Sequence, residues 1–165
     1  MRKLLYAVLS AATVAMGGSN SEKPAAQPNA RTLFETHPSI DYSSTSIDGQ
    51  KIDPKDHQGE LVIIVCGGTW CHACQKGLPV YESIQKKYNV PVIDFEFDSP
   101  HDAILENSKK FGVVQVDAGD YAGEFAKRFE PSGIGSFPRV YMKDRQGVFY
   151  RVEKDLESFI QEKIK

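Results

Sequence analysis

The feature that most limits how this chain can fold is the junction between an unbroken apolar run, Leu61-Val62-Ile63-Ile64-Val65-Cys66, and a segment of helical periodicity that begins with Cys71 and Cys74. A continuous run rich in β-branched residues, without polar alternation, is the pattern of a strand covered on both faces inside a sheet. Gly67-Gly68-Thr69 interrupts it, and from Cys71 to Tyr88 the apolar residues Leu78, Tyr81, Ile84 and Tyr88 recur at helical spacing. The two thiols are therefore predicted at a strand-to-helix junction. Pro79 falls inside that helix, where it removes a backbone donor and is expected to bend the helix without ending it.

The remaining elements continue the alternation. Val92-Ile93-Asp94-Phe95-Glu96-Phe97 is a second buried strand, followed by a helix over about 102–111, a strand over 113–116 and a helix over about 121–129. Arg139 to Met142 and Val148 to Arg151 flank Asp144 to Gly147 as an antiparallel hairpin, and Leu156, Phe159, Ile160 and Ile164 form one face of a closing helix over 155–164. Near residue 46, Ser46-Ile47 and Lys51-Ile52 flank the turn dipeptide Asp48-Gly49, which predicts a short N-terminal hairpin. The fold class is α/β, a central mixed β-sheet flanked by helices. Asp94 and Glu96, as charged strand residues, are expected to face solvent, and a catalytic role for either is the lesser reading.

Arg2 and Lys3 precede Leu4 to Leu9 and a stretch of small residues through Gly18, the order of a secretory signal peptide over 1–18. The apolar run is shorter than the ~20 residues of a membrane span, so an uncleaved anchor is the alternative and no stable insertion is expected after cleavage. Residues 19–41, with Pro24, Pro28 and Pro38 and no apolar period, read as a flexible linker before a domain over 42–165. Loss of Arg2 and Lys3 with the leader takes the formal charge from -2 to -4, a balance that offers nucleic acid no footprint. An exported location, periplasmic or otherwise extracytoplasmic, follows, and there disulfides persist.

Two thiols three residues apart at a helix start can form and break a small-ring disulfide. Cys71, at the mouth of the helix, meets unpaired backbone amides and the positive end of the helix dipole, which favour the thiolate and make it the nucleophile. Cys74, one turn inward, is the resolving thiol. As a structural staple the pair is weak, since its loop is far shorter than the one that yields ~3 kcal/mol. None of His37, His57 and His101 stands at zinc-finger spacing from the pair, so no metal and no cofactor are expected, although carriage of copper or another soft metal is the alternative function. An interaction domain with little turnover is a third. His72 either tunes the Cys71 thiolate or is only an exposed helix-start residue. Trp70 walls the substrate surface or caps the core edge. Phe137-Pro138, after a glycine-bearing loop, is a candidate cis peptide, or an ordinary trans proline opening an edge strand. Cys66 is an inert core thiol or exchanges with the pair.

Ile47-Asp48-Gly49-Gln50-Lys51, Leu61 to Val65, Thr69-Trp70-Cys71-His72-Ala73-Cys74, Leu78-Pro79, and Ile134 to Pro138 with Asp144 to Val148 occur in an order that resembles the thioredoxin superfamily, in particular its TlpA/ResA-like exported branch. The resemblance covers about 44–165. It implies a thioredoxin-like fold, Cys71 as nucleophile, Cys74 as resolving thiol, Pro138 as a cis-proline facing them, and an insertion over 98–111. It also implies a monomeric thiol–disulfide oxidoreductase acting on exported proteins, reductase before oxidase, with a redox-recycling partner protein. Phe137 departs from the threonine often found in that family, Gly67-Gly68 replaces bulkier residues, and Val65 stands where cytoplasmic thioredoxins carry a buried acid.

Overall fold

Three parallel strands that make up one side of the main sheet set the architecture of this chain, whose computed structural model describes residues 34–153 and 155–165. The predicted signal peptide and most of the linker lie outside the described residues. The strands are β1 (Phe34–His37), β2 (Ser44–Thr45), β3 (Lys51–Ile52), β4 (Val62–Gly67), β5 (Val92–Phe97), β6 (Val114–Gly119), β7 (Arg139–Lys143) and β8 (Phe149–Val152). The helices are α1 (His72–Tyr88), α2 (His101–Lys110) and α3 (Leu156–Ile164). The main sheet runs β1-β8-β7-β4-β5-β6, and β2 and β3 form a separate two-stranded hairpin. β4, β5 and β6 are parallel to one another, and β7, β8 and β1 are added antiparallel on the other side of β4. Among the described residues no helix is long and apolar enough to cross a membrane.

Every residue of β4 is buried, and its alternation feeds two cores. Val62, Ile64 and Cys66 join Phe95, Phe97, Phe129 and Tyr141 on one face, and Ile63 and Val65 join Tyr81, Ile84, Met142 and Phe159 on the other. That two-sided burial is why the strand shows no polar period. α1 continues through the exposed Pro79 to an αL cap at Asn89, with Lys86 and Lys87 in the last turn beside the helix's negative end.

Four differences from the sequence reading have physical causes. Residues 34–37, assigned to the linker, form β1 on β8, and Ile40 is 3% exposed in the core. The domain boundary at 42 is therefore too late, because a short edge strand among polar residues carries little apolar period. The hairpin pairs Ser44 with Ile52 and Thr45 with Lys51, while Ser46 Oγ accepts from Gln50 N (2.8 Å) and Ile47 N donates to Gln115 O (2.8 Å) on β6. Residues 121–129 hold only a 3-10 turn, Ala126–Arg128, after a turn in which Asp120 takes up the Ala122 and Gly123 amides; Phe125 and Phe129 then pack against Phe95 and Phe97. Finally, all of β5 is buried, including Asp94 at 3% and Glu96 at 1% exposure.

Candidate active site

The loop from β4 into α1 places the two sulfurs. Cys71 is the N-cap of α1, in extended backbone, and its Sγ accepts from Cys74 N at 3.2 Å. Cys71 and Cys74 form a disulfide with a Cα–Cα separation of 5.2 Å. Both are buried, at 8% and 5% exposure. A sulfur at an N-cap satisfies one of the helix's unpaired amides and sits at the positive end of its dipole.

The glycines preceding this loop are steric requirements. A Cβ at Gly68 would lie 2.5 Å from Trp70 Nε1, 2.7 Å from its Cε2 and 3.0 Å from Phe97 O. The glycine leaves room for the indole to fold back and donate from Nε1 to Phe97 O at 3.0 Å, which fixes the ring while leaving Trp70 56% exposed. We expect Gly68→Ala to drive the indole out of this position. Since Trp70 is the only tryptophan, its emission reports the change directly: a red shift is expected, and a spectrum identical to the parent's would contradict the packing.

The Phe137-Pro138 peptide is cis. The Phe137 ring meets Trp70 edge-on at 5.7 Å and Phe97 at 5.9 Å, which sets its loop against the loop bearing the cysteines. That loop is anchored behind by Glu130, which accepts from Tyr141 Oη (2.8 Å) and pairs with Arg139 Nε (3.3 Å). Burial and the bond to Glu130 push the Tyr141 phenol up, so it stays a neutral donor. Trp70, Phe137, Cys71 and Cys74 are thus brought into one neighbourhood. Exposed His72 adds an imidazole at the rim, with no hydrogen bond or ion pair to another described residue.

Cys66 is fully buried and free. Burial, reinforced by the negative charges of Asp94 and Glu130, pushes its thiol well up, and a protonated thiol in a closed core does not exchange. His37, His57 and His101 do not join the sulfurs: among the described residues no three His, Cys, Asp or Glu side chains are grouped to hold a metal ion.

Asp94 and Glu96, expected from the sequence to face solvent, are instead buried beside α1. Gln115 Nε2 donates to Asp94 Oδ2 (3.2 Å), Ser99 Oγ is 3.2 Å from Glu96 Oε2, and Asn107 Nδ2 donates to Gln75 Oε1 (3.2 Å). Burial, then the Glu96 charge, raises Asp94 well above the usual carboxylate range, and burial raises Glu96. The available signal was the spacing: residues 94 and 96 share one face of a strand too apolar to lie open to water.

No family model matches the chain. The sequence is 29% identical over 106 residues to a thiol-disulfide oxidoreductase ResA of Bacillus thuringiensis subsp. konkukian, a match that covers 62% of this chain and 60% of that protein. Over 116 residues it is 29% identical to the thioredoxin-like protein YneN of Bacillus subtilis, covering 66% of this chain and 64% of the relative. The chain thus spans less than two thirds of the length of these curated relatives. In structure it superposes on a thiol:disulfide interchange protein of the thioredoxin family from Chlorobium tepidum TLS with a TM-score of 0.64 at 17% identity, covering 79% of this chain and 98% of that one. The thioredoxin-like fold expected from the sequence is therefore present, with its central mixed sheet and flanking helices.

Proposed function

We propose that this chain, a ResA-like protein of the thioredoxin superfamily, is a thiol–disulfide oxidoreductase that exchanges disulfides with exported proteins through Cys71 and Cys74. The observation that carries the proposal is the position of Cys71: its sulfur caps α1 and is bonded to the cysteine one turn inward, beside the exposed Trp70 and the Phe137-Pro138 loop.

From that arrangement each residue takes a role. Cys71, as thiolate, attacks a substrate sulfur and forms a mixed disulfide; Cys74 attacks Cys71 and releases the substrate thiol. Trp70 and Phe137 give an apolar wall for an extended substrate segment. Pro138 offers no N–H of its own, leaving the backbone beside it to pair with substrate. His72 tunes the charge at Cys71. Reduction of substrates is the favoured direction, by analogy with the ResA-like branch, and the oxidised pair is returned to the dithiol by a redox partner protein. The resemblance to exported relatives and the leader-like residues 1–18 support an extracytoplasmic, monomeric protein whose linker is shorter than 19–41.

Cys74→Ser tests the reading. Incubated with a disulfide-bonded protein, this variant is expected to accumulate a mixed disulfide at Cys71 that dithiothreitol dissolves, because the resolving thiol is absent. A variant lacking both cysteines accumulates none. If Cys74→Ser forms no adduct, or forms it at Cys66, the assignment of Cys71 falls.

A further inference from the structure

We propose that Asp94 and Glu96 form a buried two-carboxyl relay that takes the proton of Cys74 when this thiol resolves the mixed disulfide, and passes it to solvent at Ser99. The proposal rests on the exchange function assigned to Cys71 and Cys74.

The geometry begins at Gly67, the last residue of β4. A Cβ there would meet Cys74 Sγ at 3.3 Å and Asp94 Oδ1 at 3.7 Å, so the sulfur and the carboxyl oxygen border the same small space that the missing side chain leaves. Asp94 Oδ1 and Glu96 Oε1 are buried and find no donor among the described residues, as does Gln115 Oε1 beside them. Orphaned buried oxygens of this kind are costly and mark a place where a proton or a water is exchanged. The two carboxyls act on one another, the Glu96 charge being second to burial among the causes that raise Asp94. At the other end Ser99 Oγ, half-buried, lies 3.2 Å from Glu96 Oε2 and accepts from Thr69 N (2.8 Å), which brings the chain of groups out at the loop that carries the cysteines. Val65, the β4 residue in register with Asp94, supplies no acid of its own.

The groups facing the pair come from every neighbouring element. Gln115 on β6 donates to Asp94; Ser99 and, from α2, Asn107 partly offset the rise at Glu96; Tyr81 on α1 is a phenol pushed up to about 12 by burial and by Asp94; Cys66 on β4 is a thiol held protonated; and among the described residues no cation acts on either carboxyl. Burial thus makes an ionised carboxylate of the pair a stronger base than an ordinary one, which favours its taking a proton from a neighbouring thiol.

The step runs as follows. The substrate is bonded to Cys71 by one S–S bond, and Cys74 carries its proton. The carboxyl pair takes that proton, directly or through one water. The Cys74 sulfur forms a bond to Cys71 Sγ, the bond from Cys71 to substrate breaks, and its electron pair leaves with the substrate thiolate. Two electrons have passed from the dithiol to the substrate disulfide, and the proton leaves by Ser99.

A stopped-flow reaction of the reduced protein with 5,5′-dithiobis(2-nitrobenzoate) separates this from the function it rests on, because the coloured thiolate is released twice. The first release reports attack by Cys71, and the second reports resolution by Cys74. Asp94→Asn is expected to leave the first release within about twofold and to slow the second by on the order of 10²-fold at pH 7, the low end of what a positioned proton acceptor contributes. The second release in this variant should also climb about tenfold per pH unit, since hydroxide replaces the carboxylate. Glu96→Gln retains the acceptor but removes its negative neighbour, so the profile of the second release shifts to lower pH. A second release in Asp94→Asn that is within threefold of the parent with the same pH profile overturns the relay, as does an unshifted profile in Glu96→Gln. Absence of the first release in the parent protein would instead overturn the exchange function. Folding of Asp94→Asn is checked by its urea midpoint at pH 8. The folded pKa of Asp94 is raised, so the parent loses stability as pH rises from the ordinary aspartate range through that raised value, and the variant's midpoint should be the higher.

Discussion

Cys71→Ser is expected to lower the reduction of a protein disulfide by this chain to the uncatalysed background, with no comparable loss of stability. The separation of the two effects follows from where the sulfur sits. A hydroxyl does not ionise near neutral pH and does not attack a disulfide, so the first chemical step disappears. Serine is nevertheless among the preferred N-cap residues, and its Oγ can accept from Cys74 N as the sulfur does. The start of α1 therefore survives the change. The loss of the four-residue disulfide ring removes only a weak constraint on the unfolded chain. The measurements are insulin reduction with dithiothreitol as donor, and urea denaturation of both proteins in their reduced forms. Activity above background in Cys71→Ser would show that Cys74 or Cys66 acts as nucleophile and would invert the assignment.

The largest effect on stability is expected at Phe129. It is fully buried, and its ring lies 5.2 Å from that of Phe95, 6.3 Å from Phe97, 5.7 Å from Phe125 and 5.9 Å from Tyr141, so it joins β5, β7 and the irregular segment after β6. Phe129→Ala deletes the ring from the middle of this cluster, and rigid neighbours on two strands cannot close the space. A loss of about 3–5 kcal/mol is expected from urea denaturation. The exposed Tyr121, eight residues earlier, gives the contrast: Tyr121→Ala should change stability by no more than about 0.5 kcal/mol. A loss below about 1 kcal/mol for Phe129→Ala would mean that the cluster relaxes freely, contrary to its packing. The same cluster supports function, because Phe97 in it carries the carbonyl that holds Trp70 and packs against Phe137.

Much of this could be read from residue order. The run Leu61 to Cys66 announced a strand buried on both faces, and helical spacing after Cys71 announced α1, because burial imposes its period directly on the residues that are buried. Pro79 did not end the helix, since it lies on the exposed side of α1. The segment 121–129 shows where the inference stops. Its apolar spacing looks helical, yet the local claims of Asp120 on backbone amides and the insertion of Phe125 and Phe129 into the core leave one 3-10 turn. Likewise β1 is a strand only because β8 offers it an open edge.

The sequence alone determined the local chemistry of this protein: two thiols at a strand-to-helix junction, a proline in a glycine-bearing loop, and a buried central strand. Those follow from interactions between residues a few positions apart. Only the tertiary structure decided that Asp94 and Glu96, on the next strand of the sheet, turn inward, and that Asp94 borders the same space beside Gly67 as Cys74. A charge in a strand is ordinarily assigned to water, and that assignment is reversed only when a neighbouring helix covers the face, a fact fixed by packing between distant segments.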